Sequence, residues 1–247
     1  MTSQDGHLAA DLADEAGRRL LALRARGGDP TVLRQAGDRS SHEFLTAELA
    51  RRRPGDAVLS EEGADDPARL AARRVWIVDP LDGTREFGEP GRTDWAVHVA
   101  LWESGELTAG AVALPAQGQV LSTAGPPAAP PAPPPGTLRL VVSRTRPAPF
   151  IPRLADKIGA EVVPLGSAGA KAAAVICGSA EVYVHDGGQY EWDSAAPVAV
   201  ALAAGLHASR IDGSKLVYNQ AVPSVPDILI CQAALADMLL GAISSVR

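Results

Sequence analysis

A chain of 247 residues with 46% hydrophobic side chains can bury a sizeable core, as one large domain or as two half-domains. Its net charge of −6, without clustered Lys and Arg, excludes a general nucleic-acid binder, so any positive charge for an anionic substrate must be local, as a bound metal would supply. No run approaches the ~18 apolar residues of a membrane span, and no charged region followed by an apolar core opens the chain, so a cytoplasmic protein without membrane or nucleic-acid partners is expected.

Leu8, Leu12, Ala16, Leu20 and Leu23 recur at spacings of three and four and predict an amphipathic helix over 5–26, ended by Gly27-Gly28-Asp29-Pro30. After an extended piece at Val32-Leu33, Ser40 with Glu43 three residues on reads as a capping box. It predicts a second helix through Arg52 and leaves Asp38 just ahead of the helix start. The segment Asp56–Ser60 reads as a strand delivering Glu61 and Glu62, and Val75–Val78 as a strand delivering Asp79. Trp95–Trp102 and Leu107–Leu114 read as a hairpin joined by Glu103-Ser104-Gly105-Glu106. The Pro-rich stretch 123–136 is a semi-rigid loop that cannot enter a sheet. It is the expected boundary between an N-terminal α+β subdomain at 1–122 and a C-terminal α/β subdomain at 137–247. In the second part, strands at Thr137–Ser143, Glu161–Leu165 and Ala180–Val184 alternate with helices at 149–159, Ser167–Cys177 and Asp193–Ala204, which points to α/β layers. Cys177 and Cys231 sit in apolar runs without ligand-like spacing and read as two small buried side chains. Trp76, Trp95 and Trp102 read as core residues, and Tyr190 and Trp192 as either pocket lining or core.

Three stretches carry the chemistry: Ser60-Glu61-Glu62, Trp76-Ile77-Val78-Asp79-Pro80-Leu81-Asp82-Gly83-Thr84, and Glu191-Trp192-Asp193-Ser194-Ala195-Ala196-Pro197. Each places carboxylates at the end of an apolar strand or the start of a helix. Hard cations such as Mg2+ take oxygen ligands, and a carboxylate cluster completed by phosphate suits them. The chemistry implied is metal-assisted hydrolysis of a phosphate ester. In Asp79-Pro80-Leu81-Asp82-Gly83-Thr84, Pro80 removes a donor, Gly83 permits a tight turn, and the Leu81 carbonyl is a further oxygen between the two acids. Such a turn is also common surface-loop chemistry, but a solvated tip needs no buried strand to carry it. The aspartyl-phosphate motif of haloacid dehalogenases needs Asp-x-Asp, whereas Asp79 and Asp82 stand three apart. Gly166-Ser167-Ala168-Gly169-Ala170-Lys171 lacks the spacing of a phosphate-binding P-loop.

In combination these segments resemble the inositol monophosphatase superfamily, and within it Ser143-Arg144, Gly166-Ser167 with Lys171, and Glu191-Trp192-Asp193 resemble the CysQ-type 3'-phosphoadenosine 5'-phosphate (PAP) phosphatases. The similarity runs from residue 8 to residue 222. It implies the inositol monophosphatase or sugar phosphatase fold, an α-β-α-β-α sandwich, with two or three Mg2+ ions and lithium sensitivity. The substrate it implies is a phosphorylated nucleotide or sugar phosphate, PAP before PAPS, hydrolysed to AMP and phosphate in sulfate assimilation. Carried over by residue, the resemblance makes Glu61, Asp79, the Leu81 carbonyl, Asp82 and Asp193 metal ligands. Asp38 and Thr84, with Glu61, would activate the attacking water. Asp82, Gly83, Thr84, Ser143, Arg144, Gly166, Ser167, Lys171 and Asp193 would contact substrate. Around Asp38 the chain departs from the family pattern Asp-x-Ser-Pro-x-Thr-x-Ala-Asp, reading Asp38-Arg39-Ser40-Ser41-His42-Glu43. Three alternatives stay open: a broader inositol monophosphatase or fructose-1,6-bisphosphatase, a non-catalytic nucleotide sensor, and a scaffold recruited through the Pro-rich loop. The oligomeric state, a homodimer among the options, is also open.

Overall fold

Strand β2 (Arg74–Asp82) shows how the layers arise: Val75 and Ile77 point into one core while Trp76 and Val78 point into another, the period-two alternation of a strand covered on both faces. The computed structural model describes residues 2–133, 136 and 138–247. Among them β1 (Ala57–Ser60), β2, β3 (Ala96–Glu103), β4 (Glu106–Leu114) and β5 (Gln119–Ser122) form one sheet in sequential order. Its first pair is parallel and the rest are antiparallel. The second sheet runs β7-β6-β8-β10-β9, from β6 (Arg139–Ser143), β7 (Glu161–Leu165), β8 (Val182–Tyr190), β9 (His207–Ser209) and β10 (Ser224–Cys231).

Helices α1 (Thr2–Ala25) and α2 (Pro30–Arg52) cover the outer face of the first sheet through Leu8, Leu12, Leu20, Leu45 and Leu49. Helices α5 (Ala168–Ile176) and α6 (Glu191–Ala203) fill the space between the sheets, and α4 (Ile151–Ile158) and α7 (Ala236–Val246) cover the far face of the second. The result is the expected α-β-α-β-α sandwich. The middle layer is built from small side chains, and Gly110 on β4 lies so close to α6 that an added Cβ would stand 2.7 Å from the Ala199 Cβ.

Several elements differ from the sequence reading. Asp29 is the N-cap of α2, accepting from the Thr31 and Val32 amides with Pro30 at the first helical position, so Val32-Leu33 is helical and Asp38 lies inside the helix. The Ser40/Glu43 pattern opens no helix. Strands β5, β9 and β10 and helix α7 were not read, and β10 carries Pro226 beside a register shift between Val225 and Asp227 that breaks the strand pattern. Cys231 is buried, but Cys177 is exposed, its Sγ accepting from Gln119 Nε2 at 3.3 Å. In the Pro-rich loop the Pro131 carbonyl accepts from Gln232 Nε2, while Pro134 and Pro135 of that loop and Thr137 of the expected strand lie outside the described residues.

Candidate metal centre and substrate pocket

Pro80 interrupts the ladder of β2, and the register against β3 slips there: Asp79 pairs with His98 but Asp82 with Ala96, so β2 carries one extra residue. Two positions three apart in a regular strand would face opposite sides; the bulge turns both acids to one point. Asp193 meets them from the first turn of α6. Carboxylate oxygens of Asp79, Asp82 and Asp193 all lie within 4.8 Å of one another. Beyond the bulge Gly83 takes a left-handed conformation (φ 82°), which only glycine adopts without strain, and passes the chain into the short helix α3 (Thr84–Gly88).

Glu61, at the end of β1, turns its carboxyl into this cluster, where it meets Asp79. Loss of solvent and then the Asp193 charge push it up to about 7. Burial, followed by the Glu61 charge, holds Asp79 well above the usual carboxylate range, and burial plus the Asp82 charge lifts Asp193 to about 6. Asp82 goes the other way. Burial alone would raise it, but the charges of His98 and Lys171 and hydrogen bonds from Ser167 Oγ (2.5 Å) and the Gly169 amide (2.7 Å) drive it below its ordinary value. His98, fully buried, donates Nδ1–H to the Trp192 carbonyl at 3.0 Å, and its Nε2 lies 3.2 Å from Asp82 Oδ2 without a hydrogen bond among the described residues. Burial alone would lower His98, but the Asp82 charge and the Trp192 carbonyl raise it above its ordinary value. Asp82 thus has His98 and Lys171 beside it as buried counter-charges, whereas Glu61, Asp79 and Asp193 repel one another. An all-oxygen, net-negative cluster of this kind fits a hard divalent cation.

Leu81 donates its amide to Asp79 Oδ1 at 3.0 Å, and its carbonyl accepts from Thr84 Oγ1 at 3.0 Å. Asp38 reaches the same hydroxyl from α2 at 3.3 Å, and burial plus the Glu62 charge lifts it to about 6. The two residues that follow in the departed segment have structural work. Ser41 Oγ donates to the Pro80 carbonyl at 2.7 Å, and His42 Nδ1 pairs with Ser60 Oγ at 2.9 Å, which tie α2 to the ends of β2 and β1.

The cluster forms one end of a cavity of about 390 Å³ whose walls include Thr84, Ser143, Arg144, Ser167 and Lys171. The structure thus brings the sequence-read residues of 61–84, 143–144, 166–171 and 193 to one pocket. Arg144 is held by Glu86 (2.6 Å) and Glu89 (3.0 Å), and buried Lys171 donates to the Gly166 and Ser167 carbonyls. Tyr190 and Trp192 stack on each other, with Tyr190 exposed, rather than lining this cavity. His98, Arg146, His185 and Gln189 were not singled out from the sequence. For His98 a signal existed: it is the one ionisable residue inside the apolar stretch of β3.

Residues 8–128 and 136–246 match the inositol monophosphatase family. A 3'-phosphoadenosine 5'-phosphate phosphatase of Mycobacterium leprae is 52% identical over 258 residues, covering 98% of this chain and 94% of that protein. One of the same description from Mycobacterium bovis is 55% identical over 242 residues, covering 93% and 90%. The crystal structure of CysQ from Bacteroides thetaiotaomicron, a bacterial member of the inositol monophosphatase family, superposes with a TM-score of 0.75 at 27% identity, over 94% of this chain and 98% of that one.

Proposed function

Because this chain belongs to the inositol monophosphatase family, we propose that it is a phosphatase that removes the 3'-phosphate of PAP, giving AMP and inorganic phosphate. The observation that carries the chemistry is the convergence of Asp79, Asp82 and Asp193 on one point at the end of a polar cavity. The more-than-half identity to two PAP phosphatases carries the substrate. Asp79, Asp82, Asp193, Glu61 and the Leu81 carbonyl would hold Mg2+. Bound there, the metal would lower the pKa of a water, clamp phosphate oxygens and offset charge on the leaving alkoxide.

The chain's own groups do the rest. The Thr84 hydroxyl has one proton and two acceptors within reach, Leu81 O and Asp38 Oδ1. Directed at Asp38, it frees the Leu81 carbonyl and leaves its own lone pairs to accept from a water, with Asp38 as the base behind it. Two residues acting as one unit are non-additive. Asp38→Asn and Thr84→Val should each lower kcat by roughly 10²-fold, general-base catalysis being worth about 10²–10⁴, and the double variant should be no worse than the poorer single one. Multiplying effects in steady-state kinetics would separate the two residues.

The reading also places the enzyme in the cytoplasm, controlling PAP left by sulfate assimilation, with the chain divided into subdomains at 1–122 and 137–247. No helix among the described residues is long and apolar enough to cross a membrane. Purified protein assayed with Mg2+ against PAP, inositol 1-phosphate and fructose 1,6-bisphosphate, with and without lithium, tests the assignment. The expected outcome is a catalytic efficiency on PAP at least tenfold above the other two and inhibition by lithium. Equal efficiencies would leave a broad phosphatase, and no turnover at all would leave a nucleotide sensor.

A further inference from the structure

Glu61 and Asp193 reach the carboxylate cluster from opposite halves of the chain, Glu61 from the end of β1 and Asp193 from the first turn of α6. Little regular structure braces the connections beside them. Residues 61–73, which lead from Glu61 to β2, form only the 3-10 turn Pro67–Ala71, and residues 210–223, which lead into β10, have neither helix nor strand.

Buried polar side chains join these two connections. Arg69, in the 3-10 turn, is 1% exposed. Its Nε and Nη2 donate to the two Asp65 carboxylate oxygens at 2.6 and 3.0 Å, Nη1 donates to Asn219 Oδ1 at 2.7 Å, and Nη2 also to the Gln220 carbonyl at 2.9 Å. Asn219 returns a bond from Nδ2 to the Arg69 carbonyl at 3.2 Å. Its backbone is left-handed (φ 59°), a conformation asparagine tolerates better than most residues. The amides of Asn219 and Gln220 donate to the Glu191 carboxylate, each at 2.7 Å and each to its own oxygen. Glu191 is fully buried, and its own amide donates to the Pro223 carbonyl at 2.8 Å. One residue earlier, the Tyr190 amide donates to Asp193 Oδ2 at 2.7 Å and so sets the direction of that carboxylate.

Stability alone is a weak reason for such a network, since buried ionic groups seldom gain over well-packed apolar side chains. What it secures is geometry, tying the connection that follows Glu61 to the peptide from which Asp193 is aimed. Resting on the reading of Glu61 and Asp193 as ligands, we infer that Arg69, Asn219 and Glu191 are positioning residues that fix the separation of those two carboxylates and so set the affinity for the divalent cation. None of the three lines the cavity, so they act on the site only through other residues. Arg69 is the central piece, because one planar guanidinium spans Asp65, Asn219 and Gln220, which the point charge of a lysine does not.

The test measures Mg2+ affinity from the rise in melting temperature with Mg2+ concentration. It compares wild type, Arg69→Met, Arg69→Lys and Glu191→Gln, with Leu239→Ala as a control. Leu239 is fully buried in the far core beneath α7, so its truncation destabilises the fold away from the network. Methionine keeps the apolar stem of Arg69 and removes its fork. Arg69→Met should weaken Mg2+ roughly 10- to 100-fold, the usual effect of removing a group that orients a metal ligand. At saturating Mg2+ its kcat and KM for PAP should stay within about threefold of wild type. Arg69→Lys should lie closer to Arg69→Met than to wild type. Glu191→Gln, of unchanged shape, should weaken Mg2+ to a similar extent and carries the comparison should Arg69→Met fail to fold. The double variant should be no worse than the poorer single one, both substitutions breaking one chain of contacts. Hydrogen exchange in EDTA reads the network without metal: the Asn219 and Gln220 amides should lose protection in Arg69→Met and keep it in Leu239→Ala. Mg2+ affinity within about twofold of wild type in Arg69→Met, the same loss in Leu239→Ala, or single losses that multiply would each overturn the positioning role. A wild type that gains no melting temperature with Mg2+ would instead sink the ligand assignment, and this inference with it.

Discussion

Asp79→Asn is expected to lower kcat by roughly 10³-fold and, in the same protein, to raise the melting temperature measured in EDTA. Asp79 is 1% exposed and, among the described residues, accepts only the Leu81 amide, while Glu61, Asp82 and Asp193 crowd its carboxyl with like charge. Without a cation this repulsion opposes folding: a carboxyl held above its ordinary pKa makes its ionised form a cost to the native state as pH rises. Asparagine keeps the acceptor for Leu81 and puts a donor where the clash with Glu61 was. Relief of about 1–3 kcal/mol corresponds to roughly 2–4 °C per kcal/mol for a chain of this size. The same change removes a ligand from the cluster, and several kcal/mol of transition-state stabilisation lost is roughly a thousandfold in rate. Wild type should gain melting temperature on adding Mg2+, and the variant should gain little. A variant still turning over within threefold of wild type, or stabilised equally by Mg2+, takes Asp79 out of the ligand set. A fall in its EDTA melting temperature shows that repulsion is not the dominant force.

Gly169→Ala should destabilise the fold and disable the site together. In the first turn of a helix, alanine ordinarily improves on glycine by up to about 1 kcal/mol. At Gly169 the new methyl would overlap His98 Nε2 and stand 3.0 Å from the Ala96 Cβ. His98 cannot retreat, being fully buried and tied to the Trp192 carbonyl. The Gly169 amide also donates to Asp82, so any shift of α5 drags a ligand candidate with it. Overpacking of roughly 1–3 kcal/mol or more outweighs the helix gain, and a drop of several degrees with loss of Mg2+-dependent turnover is expected. Gly241→Ala in α7, where an added Cβ meets nothing within 4 Å, is the control and should stabilise slightly. If Gly169→Ala melts with Gly241→Ala, the packing argument fails.

The sequence made the acidic motifs legible because each is local: acids at the end of an apolar strand or at the start of an apolar helix, within nine residues. It also conveyed the layers, since period-two strands and Ala-rich helices alternate after residue 137. What it hid is non-local or ambiguous. Asp29-Pro30 ends one helix and caps the next, and either use produces the same letters. Ser40 and Glu43 fit a capping box by coincidence of composition inside a helix already begun. The bulge that aims Asp79 and Asp82 together is a property of pairing with β3, visible in no window of β2 alone. Arg146 and Gln189 carry no motif; they line one cavity because β6 and β8 are parallel neighbours whose ends lie beside it.

The alanine and glycine layer between the sheets has a further consequence, for how such a protein diversifies. Gly110, Gly166 and Gly169 admit no larger residue: a Cβ on Gly166 would press within 2.5 Å of Glu86 Oε1, and the others would strike α6 or His98. Asp193 and the Gly169 amide that holds Asp82 belong to the middle helices and are fixed with them. New tastes in substrate must then be acquired at the rim, at the exposed residues Thr145 and Arg146 of the turn after β6.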